Sequence, residues 1–237
     1  MMVSFRSGQS RRQVVTNGLE TPDDSADLYL ARDQNEILML VNRPHFTGDI
    51  LKLTTGEVVA LVQHPCAMRK GTKLAAKLLV CSVKTTNQIP ADWSGSHYKQ
   101  MFLPALPGGS SAIHFDDLDV VARDDIEKSE RLAILSELGV NLLVQRWLHH
   151  NSRVVVPTIT IHLQTSGPYE EADLVGEAVD DLRAAGIEEE TAVIDVDAWL
   201  GQATAPDGPS RRELLANPQT RGSVRSSLRR HVRDQLG

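Results

Sequence analysis

Apolar and polar positions along this chain fall into short blocks at first and longer ones later. Val58 to Gln63 is a compact apolar run, Leu74 to Val83 is another, and Met101–Leu103 and Ala112–Phe115 are shorter. Gly56, Pro65, Gly71, Pro90, Gly95, Pro107, Gly108 and Gly109 punctuate them. Short runs between turn residues predict strands of a small antiparallel barrel or a strongly bent sheet over about residues 37–123. Beyond it the period lengthens. Asp124 to Ser129 offers helix-starting side chains, and Leu138, Leu142 and Gln145 or Arg146 recur at helical spacing, predicting one helix that runs to His150. Val155, Ile159, Ile161 and Leu163 then alternate with Thr158, Thr160, His162 and Gln164, the period of a half-buried strand, with Pro157 favouring a sheet edge. Between Glu171 and Ala185 the stripe Leu174, Val175, Ala178, Val179 and Leu182, closed by Gly186, predicts a helix.

These patterns divide the chain into an arm at 1–27 and a core at 28–165 with a helix and an edge strand. An acidic helical appendage follows at 166–200, then a linker and arginine-rich tail at 201–237. The fold class expected is α+β, a small SH3-like antiparallel barrel or bent sheet with C-terminal helices.

Charge alters the picture through its placement. The net charge of −6 argues against a general nucleic-acid binder. However, residues 170–197 are crowded with acids against Arg183 alone, while from Arg211 onward arginines face only Glu213 and Asp234. Arg221, Arg225, Arg229 and Arg233 are spaced by four, so a helix there lines them along one face with Arg230 and His231 alongside. Such a face suits phosphate contacts, and equally suits docking on the acidic helix, in cis or in a partner. The N-terminus has Arg6, Arg11 and Arg12 but no apolar segment after them, and no stretch approaches a membrane span, so a cytoplasmic location without membrane contact is expected. Cys66 and Cys81 are read as thiols.

Candidate chemistry gathers near one strand end. His64 and Cys66 are two apart on an extended run and share a face, and Arg69 and Lys70 would favour a thiolate. The pair would also serve as two of four metal ligands, or as a packed cysteine beside a hydrogen-bonded histidine. Arg43, His45, Asp49 and Lys52 cluster around a loop that can line a pocket. Arg146, His149, His150 and Arg153 form a cationic stripe on one helix, with a solvated face as the plain alternative. His97 and Tyr98 lie in a Gly/Ser-flanked loop, and the Asp116-Asp117-x-Asp119 run has the acidic density for Mg²⁺ without showing convergence.

The stretch Gly48-Asp49-Ile50-Leu51, Gly56 with Val58–Val62, Leu78–Cys81 and Phe115–Val121 resembles the strand order of MazF/PemK-like SH3-like barrels, over roughly residues 45–150. Gln63-His64-Pro65-Cys66-Ala67, with Arg131 and Leu135-Ser136 ahead of a long helix, is more similar still to actinobacterial proteins that carry a His-x-Cys motif. There is also a likeness to the nickase component of DNA phosphorothioation systems. The MazF resemblance implies a barrel that handles phosphodiesters, with Lys84, beside Thr85 and Thr86, near the hydroxyl position. The family's loop arginine is missing, Glu57 or Val58 standing there, and Arg43 would approach the groove from outside the motif.

The resulting expectation is a protein acting on nucleic acid, a DNA nickase or endonuclease of a defence or DNA-modification system. The alternatives are a non-catalytic nucleic-acid-binding or partner-binding adaptor and a MazF-like endoribonuclease. His64, Cys66, Arg43 and Arg69 are the catalytic candidates, with a divalent metal such as Mg²⁺ as the cofactor to consider. Lys70, Lys84, Arg146, His149, Arg153, Arg221, Arg225, Arg229, Arg230 and Arg233 are the nucleic-acid-binding candidates. DNA is the partner expected, with RNA, an acidic protein or a second copy as alternatives.

Overall fold

The computed structural model describes residues 18–70, 73–94 and 98–236. In chain order the strands are β1 (Tyr29–Ala31), β2 (Asp49–Lys52), β3 (Val58–Leu61), β4 (Arg69–Lys70), β5 (Lys73–Leu74), β6 (Lys77–Thr85), β7 (Gln100–Leu106), β8 (Gly109–Ala122) and β9 (Glu130–Leu135). The helices are α1 (Gln34–Met39), α2 (Pro65–Met68), α3 (Arg123–Glu127), α4 (Glu137–Ser152), α5 (Thr158–Ala184), α6 (Glu189–Gly201), α7 (Arg211–Ala216) and α8 (Pro218–Leu236). The fold is α+β: a curled antiparallel sheet of seven strands in the order β1-β9-β2-β3-β6-β8-β7, with helices against it.

Local chemistry explains the hairpins. Gly56, at φ 91°, turns β2 into β3, and Gly108 and Gly109, at 95° and 122°, turn β7 into β8; these are left-handed states that glycine enters freely. A register shift between Cys81 and Ser82 bends the long β6–β8 pair. Alternation then splits the central strands between two cores. Ile50, Ala60 and Cys81 face Phe102, Phe115, α4 and Tyr169 of α5, while Leu51, Val59, Leu61 and Val80 face Met68, Leu78 and Ile126. Cys81 is a free, buried thiol, and burial pushes its pKa up to about 12. A third core lies wholly among helices, where Leu174, Val179 and Leu182 of α5 meet Val196 and Trp199 of α6, Leu215 of α7, and Val224, Leu228 and Val232 of α8.

Four segments differ from the sequence reading. The alternating stretch 155–163 is not an edge strand: α5 starts at Thr158 directly after Pro157, and its buried positions Ile161, Thr165, Tyr169 and Ala172 follow helical spacing. Proline lacks an N–H that the first turn of a helix does not need, so Pro157 marks a helix start. The helix expected over 124–150 is interrupted by β9, because Glu130–Leu135 pairs between β1 and β2; α4 begins afresh with Ser136 accepting from the Gly139 amide at 3.1 Å. Residues 201–217 contain α7, started by a Ser210/Glu213 capping box. Residues 18–27 also pack: Leu19 is buried, and the Glu20 carboxylate accepts from Gln145 Nε2 at 3.0 Å and from the Thr158 amide at 2.8 Å. Among the described residues no helix is long and apolar enough to cross a membrane.

Candidate functional site

The loop before β2 builds a buried polar network. Asp49 Oδ2 accepts from Arg131 Nη2 at 3.0 Å and from the Phe46 amide at 3.2 Å. Arg131 reaches it because β9 pairs with β2, and its two terminal nitrogens also donate to the Arg43 carbonyl at 3.1 Å. Arg43 Nε donates to Asp173 Oδ1 of α5 at 2.7 Å, and its guanidinium lies 4.9 Å from the Tyr169 ring centroid. The approach is close because α5 carries Gly176 there: a Cβ would sit 3.2 Å from Arg43 Cα. Burial alone would raise the Asp49 pKa, but Arg131, the His45 contact and Arg43 outweigh it and hold the carboxyl below its ordinary value. Burial likewise pulls Arg43 down, and Asp49 and Asp173 reverse the sign.

His45 is oriented by the same network. Arg131 Nη2 is 2.9 Å from His45 Nδ1. The same Nδ1 lies 3.3 Å from Asp49 Oδ2, so it faces a donor and an acceptor at once.

Above this floor a cleft of about 460 Å³ opens between the sheet and the helices. Phe46, Pro65, Leu163, Pro168, Ala172 and Ala216 make it largely apolar, and Arg69, Arg212, Glu171 and Glu213 supply charge. Arg212 is engaged, donating to Glu171 at 2.8 Å and Asp197 at 2.6 Å, and Glu213 caps its own helix. Arg69 differs. Its Nη2 donates to the His45 carbonyl, and among the described residues no carboxylate lies within ion-pairing distance. Burial lowers its pKa; Glu171 and Asp49 counter this from a distance, and Arg43 and Arg131 reinforce it. A desolvated cation without a counter-ion at the wall of an apolar cleft favours an incoming anion.

The catalytic candidates thus converge in part. Arg69 lines the cleft, and His64 is exposed on the turn beside Pro65 at its edge. Arg43 is buried beneath, spent on Asp173 and Asp49. The side chains of Cys66 and Lys70 lie outside the described residues, as does His97. The rest of the wall, Glu171, Ala172, Arg212 and Ala216, escaped sequence reasoning because it comes from helices more than ninety positions away, with no local motif to flag it.

The nucleic-acid-binding candidates separate. Lys84 is exposed and pairs with Asp117 at 2.7 Å. The stripe expected on α4 is broken, because Arg146 is fully buried, donating to the carbonyls of Glu20 at 2.7 Å and Trp93 at 3.2 Å; desolvation lowers its pKa to about 10. His149 and Arg153 instead meet Tyr98. On α8, Arg221 pairs with Glu170, Arg225 bridges Glu170 and Glu177, and Arg229 pairs with Glu177, so α5 already holds that face in cis. Arg230 and Arg233 remain exposed. Magnitudes show what fastens this helix. Burying Val224, Leu228 and Val232 is worth about 1.5–3 kcal/mol each, against about 0–1 kcal/mol for each surface ion pair, so α8 is a core element first.

Among the described residues no three His, Cys, Asp or Glu side chains group as metal ligands. The chain matches no protein-family model and no curated protein.

Proposed function

We propose that this protein acts on nucleic acid by holding a nucleotide in the cleft between sheet and helices, its phosphate on Arg69 and its base against the apolar wall. The observation that carries this reading is Arg69, a desolvated guanidinium lining a cleft of about 460 Å³ with no carboxylate within ion-pairing distance among the described residues. A volume of a few hundred cubic ångströms suits a ligand of nucleotide size. Arginine gives forked contacts to phosphate, and Phe46, Leu163 and Pro168 offer apolar surface for a base. In this reading the curled sheet is an SH3-like barrel of the MazF kind, working in the cytoplasm, and the network under it keeps Arg69 in place through the His45 carbonyl. Binding is the primary role, because Arg43 is enclosed and committed to Asp173 and Asp49, and swinging to a scissile phosphate would break its bond to Asp173 and take one of the counter-charges from buried Asp49.

Calorimetric titration with nucleoside monophosphates and the matching nucleosides tests this. Nucleotides should bind and nucleosides should not, and Arg69→Gln should weaken nucleotide binding about tenfold to a hundredfold, the worth of a hydrogen bond to a charged group. Equal affinity in wild type and variant would overturn the reading. Exposed His64 at the cleft's edge favours a second one, cleavage of the bound strand. Plasmid relaxation by wild type that is lost in a folded His64→Ala variant would establish it.

A further inference from the structure

A second cluster, at the C-terminal end of α4, combines flat rings with an exposed cation. Arg153 caps this helix in the left-handed conformation, φ 60°, where glycine is the common residue and a side chain is strained. Its exposed guanidinium lies 4.1 Å from the centroid of Tyr98, and among the described residues it has no carboxylate partner. The His149 ring stands edge-on to Tyr98 at 6.1 Å. One position along, Trp147 and His150 lie nearly parallel, 11° apart with centroids at 6.1 Å, both backed by buried Phe115. Among the described residues the enclosed Nδ1 atoms of His149 and His150 have no hydrogen-bond partner. Tyr98, Trp147 and both histidines are half-buried, which leaves ring surface open to solvent.

We infer that this cluster is a stacking platform for unpaired bases of a single-stranded nucleic acid, with Arg153 meeting the backbone phosphate. Stacking on aromatic rings and guanidinium planes requires bases released from a duplex, and the cation supplies a salt-dependent contact without base readout. The inference stands on residues separate from the cleft and does not depend on the nucleotide reading there. The alternative is that the rings only cover the end of the sheet, and affinity separates the two.

The test is fluorescence anisotropy of a labelled single-stranded oligonucleotide and of its duplex, on the full chain. Wild type should prefer the single strand. Tyr98→Leu and Arg153→Gln should each weaken single-strand binding about 5- to 100-fold at unchanged melting temperature, with Arg153→Lys in between. Arg153 is exposed, so its variants test the platform even if Tyr98→Leu unfolds the loop. No binding by wild type, unchanged affinity in both Arg153 variants, or equal losses for duplex and single strand would overturn the inference. Nucleotide titration of the same variants should match wild type, whereas Arg69→Gln should be weakened there, so each site can fail alone.

Discussion

Arg43 and Asp173 join the loop before β2 to α5 through a single 2.7 Å bond between Nε and Oδ1. The two ends are unequal: the Arg43 side chain is almost fully enclosed, while Asp173 keeps about 29% of its side-chain surface in water. Removing the enclosed partner leaves Asp49 short of one counter-charge inside the protein, whereas Asp173 can be rehydrated. Arg43→Met is therefore expected to lose about 3–5 kcal/mol and Asp173→Asn about 1 kcal/mol or less. Urea unfolding of the two variants checks the order. Equal losses would mean that the network contributes nothing beyond this one bond.

Asp49 sets a pH dependence of definite sign. Its carboxyl titrates lower in the folded chain than in the unfolded one, so the unfolded chain takes up the proton first as the solution is acidified. The stability due to the ionised group is complete above the ordinary aspartate value near about pH 4, and is lost as pH falls through the depressed folded value. Asp49→Asn should thus be less stable at neutral pH, since Arg43 and Arg131 lose their buried counter-charge, and less sensitive to acid. Urea midpoints measured from neutral pH down to about pH 3 should converge for wild type and variant. Parallel curves would contradict this account.

Leu228 and Arg225 weigh the two ways in which α8 is held. Leu228 is 1% exposed in the helical core, and Arg225 bridges Glu170 and Glu177 at the rim. Leu228→Ala should cost about 2–5 kcal/mol, and Arg225→Ala no more than about 1 kcal/mol, fading at high salt. Thermal melts at low and high salt give both numbers. It follows that removing residues 218–237 would strip a wall from the helical core, rather than release a loose tail.

The same helix illustrates which features the sequence made legible. Arginines every four residues announce a helix with a charged face, but Val224, Leu228 and Val232 recur at the same interval, one position ahead of Arg225, Arg229 and Arg233, and bury the adjoining face. Reading charge alone turns a core helix into a tether. In 158–163 the error runs the other way: Ile159 and Leu163 are 51% and 67% exposed, so two solvent-facing apolar residues around buried Ile161 imitate a strand's alternation. The sheet was easier, because its hairpins are marked by glycines that positive φ demands. Of the candidate site, the Arg43–His45–Asp49 loop and Arg69 were visible as local clusters. Asp173, Glu171 and Arg212 reach them only through packing of α5 and α7 on the sheet, which no window of sequence records.

Gly167 connects that packing to the cleft. A Cβ added there would lie 2.7 Å from both Cα and Cβ of Ala216, closer than such atoms come without movement, and both residues line the cleft. In an open helix interior, glycine to alanine gains about 0.5–1 kcal/mol from backbone entropy. Gly222 on α8, with nothing within 4 Å of an added Cβ, is such a place, so Gly222→Ala should raise the melting temperature. Gly167→Ala receives the same entropic gain but has to push α7 away from α5, and overpacking of this kind costs about 1–3 kcal/mol. It should therefore lower stability. Because α7 also carries Arg212 and Ala216, its displacement should reshape the wall facing Arg69 and weaken nucleotide binding, while single-strand binding at Tyr98 and Arg153 is unchanged. Melting curves and the two titrations on both alanine variants provide the comparison. If Gly167→Ala binds nucleotide as wild type does, α7 is not a wall of the working site.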